Sequence, residues 1–430
     1  MNHDGVRAVG DVLRQELEAL GFETRWIDMP PSMRRAGHLF ARRHGDRGRS
    51  LLLIGHLDTV FEKDHPFQRF ERLGDTARGP GVGDMKGGDV VILLALKALA
   101  DAGALEGADI TVAFIGDEES PGAPLEVARR DLIEAGRRAD VALGFEGAVR
   151  DSLGEYVTIA RRSSSEWLLE VEGRQAHSSG IFGPRTGAGA IFEAARILNG
   201  FYERVRGERY LTFNAGAILG GTEVTYDPEH TRGTAFGKTN VIPQRAVVHG
   251  GLRTISTEQT ERARAAMRAV VAEHLPRTNA TITFRDGYPP MAPTEGNRAL
   301  MKLYVAASRD LGLGELTALD PGRRGAADIS FVAPYADGLA GLGVHGSGAH
   351  GPNETIDLTS IPVAAKRAAV FIHRLTTDAA SEAGAGAERT ATPVGGAARE
   401  RAARHETAAS VPSTAATRGA TRDAGGRSRR

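Results

Sequence analysis

The chain has 430 residues, more than one hydrophobic core usually supports, so two domains plus some unstructured length are expected. Lys+Arg and Asp+Glu both number 54, so the formal charge is zero, and nothing global draws the chain to nucleic acid or an anionic membrane surface. Cysteine is absent, which excludes disulfides, thiolate metal sites and cysteine nucleophiles and leaves metal binding to histidine and carboxylates.

In chain order, apolar residues recur at helical spacing over 5–20, and Gly21 supplies a stop signal. This opening segment lacks the basic start and small-residue cleavage site of a signal peptide. ETRWID and HLFARR then alternate as strands do. SLLLIG, residues 50–55, is a continuous apolar run of the kind that a mainly parallel sheet buries on both faces. The apolar stretch 90–100 is interrupted by Lys97 and falls far short of the roughly 20 residues that cross a bilayer. These features predict a soluble, cytoplasmic protein. A helix over about 89–102, a strand over 110–115, a helix over 125–135 and a strand over 141–145 follow, an alternation that argues for an α/β layer architecture.

After Tyr156 the pattern changes to mostly extended segments around two helices, 187–205 and 257–275. Helices over 297–311 and 363–376 return to the first style, so a smaller α+β unit is inserted into a larger one. The expected organisation is a discontinuous catalytic domain over 1–160 and 287–377, an inserted domain over 161–286, and a tail over 378–430. That tail has almost no large apolar residues, too few to offset the entropy of ordering, and is expected to be disordered.

Chemistry-bearing residues sit where these strands end, which is where ligands gather on open α/β sheets. The strand over 50–55 runs into His56-Leu57-Asp58, a spacing that lets a carboxylate orient a metal-binding imidazole, although HxD alone is common. GPGVGDMKGGD places Asp84 in a glycine-rich loop able to wrap a small object; an ordinary turn or an anion-binding loop are the alternatives. The phosphate-loop and dinucleotide fingerprints are missing. The next strand delivers Asp117, Glu118 and Glu119, and VALGF ends on Glu146. Far downstream His350 lies among small residues, just before a turn and an acidic residue.

GHLDTV, GPGVGDMKGG, GDEE, FEGA, GRQAHSSG and GAHGPNETID together resemble the landmark segments of the M20 family of metallopeptidases, in its glutamate carboxypeptidase branch. The likeness runs from about Gly5 to Thr376 in the family's order. It implies a zinc-exopeptidase-like α/β domain with a mixed, mainly parallel sheet flanked by helices, plus an inserted ferredoxin-like α+β domain acting as lid and dimer interface. It also implies one more helix ahead of the segment that begins here at Met1.

Position by position, the resemblance implies two Zn²⁺ ions, with Co²⁺ or Mn²⁺ as possible substitutes. His56, Asp84 and Glu146 would hold one ion and Asp84, Glu119 and His350 the other, with a cis peptide after Asp84. Asp58 would orient His56, and Glu118 would be the general base. His177 would donate to the oxyanion, while Asn240 and Arg285 would hold a substrate carboxylate. The implied reaction is hydrolysis of an amide or peptide bond next to a free C-terminal carboxylate. Its alternatives are an N-acyl or N-carbamoyl amino acid amidohydrolase and a non-catalytic metal-binding protein. The implied partners are a small peptide or N-acyl amino acid and a second copy of the chain through the lid. One departure stands out: the family's glycine-rich segment reads GRRGAADIS here, with Arg323 and Arg324 in place of glycines, which leaves the substrate preference open and would add positive charge near an acidic side chain.

Overall fold

The computed structural model describes residues 2–377; the tail expected to be disordered lies outside them. The continuous apolar run becomes the centre of a six-stranded sheet. Its order is Glu23–Ile27, His38–Arg43, Ala108–Ile115, Arg47–His56, Val141–Gly144 and Asp337–Leu339. The first two strands pair antiparallel to their neighbours and the other pairings are parallel, so the sheet is mixed.

Burial on both faces explains the run's lack of alternation. Leu51 and Leu53 enter one core with Val112, Phe114 and Leu143, while Leu52 and Ile54 enter the other with Ala113, Ile115 and Ala142. Helices His3–Ala19, Gly87–Asp101, Glu295–Asp310 and Ser360–Thr377 cover the first face. Arg130–Arg138 and Ile329–Val332 cover the second. Gly88 lets the second of these helices start against the sheet, because a Cβ there would lie 1.9 Å from the Phe145 carbonyl.

The helix expected over 125–135 is broken, with Leu125–Ala128 and Arg130–Arg138 separated by Arg129. The break sends that buried guanidinium inward to Asp328 (2.7 Å) and Asp117 (2.6 Å). The helix expected from 187 starts at Ala190, because Gly187 and Gly189 take positive φ angles.

Strands Ser164–Gly173, Thr212–Gly221, Arg245–Arg253 and Thr278–Tyr288 form a second, wholly antiparallel sheet. Helices Ala190–Arg204 and Thr257–Val271 pack on it around Trp167, Phe201 and Met267. The order Thr212–Gly221, Arg245–Arg253, Ser164–Gly173, Thr278–Tyr288 and the strand-helix-strand-strand-helix-strand succession are ferredoxin-like. The hairpin Glu223–Asp227 with Arg232–Phe236 interrupts it. No helix among the described residues is long and apolar enough to cross a membrane.

Candidate metal centre

Three adjacent parallel strands end together, and their ends deliver the first donors. His56 pairs in register with Ile115, and Ile54 with Gly144, so His56, the 117–119 turn and Glu146 leave the sheet at one edge. Asp58 ties two of these exits. Its carboxylate accepts the backbone N–H of Glu118 (3.0 Å) and of Glu119 (2.9 Å), and lies 3.4 Å from Nδ1 of His56. An acceptor beside Nδ1 favours a proton there and leaves Nε2 to face outward. Nε2 of His56 is 3.2 Å from Oδ1 of Asp84.

The 117–119 turn is braced from below. Arg129 donates to the Asp117 carbonyl (3.1 Å) and to the Tyr288 hydroxyl (2.8 Å), and that hydroxyl donates to the Glu118 carbonyl (3.0 Å). Burial holds the Tyr288 phenol far above its usual range, so it remains a donor.

Asp84 follows Gly81, whose φ of 70° opens the loop, and precedes a cis peptide to Met85. His350 arrives by another route. Thr355–Asp357 pairs with Thr76–Arg78, and Gly346–Ser347 pairs with Thr355–Asp357, a small sheet that lays the late loop beside the 79–84 loop. Nε2 of His350 then lies 3.3 Å from Oδ2 of Asp84 and 3.1 Å from Oε2 of Glu119. Asp84 thus turns one oxygen to each histidine.

Two groups have donor atoms within 4.8 Å of one another: His56 with Glu118 and Glu119, and Asp84 with Glu119 and His350. Glu146 stands apart from both, because its carboxylate is engaged by the buried guanidinium of Arg161. Burial raises Glu118 well above the usual carboxylate range and Glu119 to about 7, with neighbouring acids adding to the effect. For Asp84, burial pushes the pKa upward, but the hydrogen bond and charge of His56, with the charges of His350 and Arg161, together lower it to about 2. Burial opposes charge on His56, yet Asp58 and Asp84 hold its pKa well above normal. Crowded acids with two imidazoles and no sulfur are a donor set that suits divalent zinc.

The remaining expected residues lie on the second sheet and its loops. His177 is exposed and bonds Ser179 through Nδ1 (2.8 Å). It forms a bridge with Val241, and the N–H of the next residue, Ser178, donates to the Asn240 carbonyl (2.9 Å), which sets Asn240 beside it. Arg285 is exposed and sits directly across from Glu166, to which it is ion-paired, Nε to Oε2 at 2.9 Å.

Glu354 is a residue that motif reading passed over. Only 1% exposed, it accepts the backbone N–H groups of Gly81 (2.8 Å), Gly83 (2.8 Å) and Asp84 (2.9 Å). The signal was the acid that closes the His350 turn. Glu354→Gln keeps the shape but turns an acceptor toward N–H groups into a donor. The variant is expected to bind zinc about 10–100-fold more weakly, read by chelator competition on the folded protein; unchanged affinity would show that the clamp does not set the Asp84 geometry.

Residues 52–374 match peptidase family M20/M25/M40. The chain is 28% identical over 372 residues to carboxypeptidase G2 of Pseudomonas sp. (strain RS-16), covering 84% of this chain and 81% of that protein. It is 26% identical over 354 residues to a succinyl-diaminopimelate desuccinylase of Gluconobacter oxydans, covering 80% and 86% respectively. In fold it resembles the crystal structure of aminopeptidase PepT from Bacillus cereus, with a TM-score of 0.67 at 18% identity, over 85% of this chain and 92% of that one.

Proposed function

Because this chain belongs to peptidase family M20/M25/M40 and is therefore a hydrolase of the metallopeptidase class, we propose that it cleaves an amide or peptide bond next to a free C-terminal carboxylate. One observation carries this reading: the two oxygens of Asp84 face His56 and His350, and Glu119 joins them. In this reading His56, Asp84 and Glu146 hold one zinc ion and Asp84, Glu119 and His350 the other. The assignment of Glu146 rests on the resemblance alone, since Arg161 engages it. Bound divalent cations would lower the pKa of a water and polarise the scissile carbonyl.

The protein's own groups do the rest. Asp58 fixes the His56 ring. Glu118, braced by Tyr288 and Asp58 and ionised once nearby divalent cations lower its raised pKa, would take the proton of the attacking water and pass it to the leaving amine. His177 donates to the negative charge developing on the carbonyl oxygen, a contribution on the order of 3 kcal/mol for such a donor. Asn240, beside His177, contacts the substrate carboxylate; Arg285 must exchange Glu166 for that carboxylate to do the same.

The 161–286 unit would supply these groups as a lid and dimer interface. Its outer strand Thr212–Gly221 has a free edge in the sheet order, and Ile191, Phe192, Ile218 and Phe236 are exposed on the unit. Such a face favours a second copy. Mixed dimers of a Glu118→Gln chain with a His177→Ala chain are expected to regain part of the activity. No recovery from demonstrated mixed dimers would place His177 in the site of its own chain.

The decisive test is a screen of dipeptides, glutamate conjugates, and N-acyl and N-carbamoyl amino acids with zinc supplied. Turnover that requires a free carboxylate on the leaving amine supports the proposal. The similarity to a desuccinylase favours a second reading, an N-acyl amino acid amidohydrolase, which preference for acyl over peptidyl substrates would select. No turnover by protein carrying two metal equivalents would sink both.

A further inference from the structure

A cavity of about 190 Å³ opens beside Asp84 and Glu146, lined also by Val344, Val149, Ser347 and Arg324. Arg324 belongs to the GRRG segment, and its setting is unusual for a cation. Its Nη2 donates to the Gly147 carbonyl, while its buried Nε finds no acceptor. Among the described residues no carboxylate pairs with it: Glu146 is engaged by Arg161, and Asp84 faces the two histidines. Burial and then the neighbouring Arg161 push its pKa down to about 10, against a partial offset from the nearby charges of Glu146 and Asp84.

The segment is nevertheless built to stay in place. Arg161, 2% exposed, donates to the Ala326 carbonyl (3.0 Å) and approaches the Gly325 carbonyl (3.4 Å) while holding Glu146. Leaving a half-buried guanidinium with a vacant donor is costly unless something supplies the acceptor. A planar fork with free N–H groups matches the two oxygens of a carboxylate or phosphate, and of these a carboxylate is what the proposed substrates carry.

We propose that Arg324 is a specificity-determining residue that receives a second carboxylate of the substrate, so that the enzyme prefers amides carrying an acidic group beyond the one next to the scissile bond. This deepens the function proposed above and rests on it. The acid could lie on the amine side, as in an N-acyl glutamate, or on the acyl side, as in an N-succinyl amino acid.

Two matched pairs separate these sources: N-acetylglutamate against N-acetylglutamine, and N-succinylalanine against N-butyrylalanine. In zinc-loaded protein, Arg324→Ala is expected to lower kcat/KM at least tenfold for the acidic member of one pair and less than about threefold for its neutral partner. Arg324→Lys should recover part of the loss. Calorimetry with glutarate and butyrate gives a readout independent of turnover: wild type should bind glutarate more tightly, and Arg324→Ala should erase the difference. Glutarate binding that depends on Arg324, without hydrolysis of any probe, would keep the pocket and remove the proposed reaction. Equal losses within both pairs, or glutarate binding indifferent to the substitution, would overturn the assignment of Arg324.

Discussion

Glu118→Gln is expected to lower kcat by a factor of about 10²–10⁴, the usual contribution of a positioned general base, while leaving two equivalents of zinc in place. The amide is isosteric and keeps the backbone N–H bond to Asp58 and the carbonyl bond from Tyr288, so the turn has no reason to move. What is lost is the ability to accept a proton. The metal measurement matters because Glu118 lies within donor distance of His56 and Glu119. Were Glu118 a ligand, the variant would lose metal together with activity. Full activity would remove Glu118 from the mechanism, and loss of one equivalent would reassign it.

Asp84→Asn is expected to be the more damaging of the two. Each carboxylate oxygen faces one histidine, 3.2 Å to His56 and 3.3 Å to His350, and an amide can offer an oxygen to only one of them. The other histidine meets an N–H₂, which cannot ligate and repels a cation. Tight binding of at least one ion should disappear, and removal of a ligand should reduce metal affinity by more than the roughly 10–100-fold typical of supporting residues. Elemental analysis after dialysis, read against the zinc content of the parent, checks this. Retention of two tightly held ions would show that Asp84 does not bridge them.

Local composition carried much of this molecule. The 50–55 run, the strand over 110–115 and the glycine-rich loop announced a buried sheet and a set of acids at its edge, because burial on two faces and placement at strand ends are properties of short windows. The mixed sheet flanked by helices is the fold found. Long-range partners were not legible. That Glu146 meets Arg161, that Arg285 meets Glu166 and that Arg129 breaks a helix to reach Asp328 all depend on residues far apart in sequence. The hairpin Glu223–Asp227 with Arg232–Phe236 also escaped detection. Its second strand is exposed throughout, so no apolar alternation marks it.

The short pairing of Thr355–Asp357 with Thr76–Arg78, together with the grip of Glu354 on 81–84, has a consequence for biosynthesis. Until that late strand docks, the early acids lack both His350 and the brace on their loop. During translation the N-terminal segments emerge first, so under the proposed ligand set the cleft stays unfinished in a nascent chain until nearly all of the described residues have been made. With that ligand set, a hydrolase assembled in this order would acquire its metals, and with them its reactivity, only after its last described strand has docked.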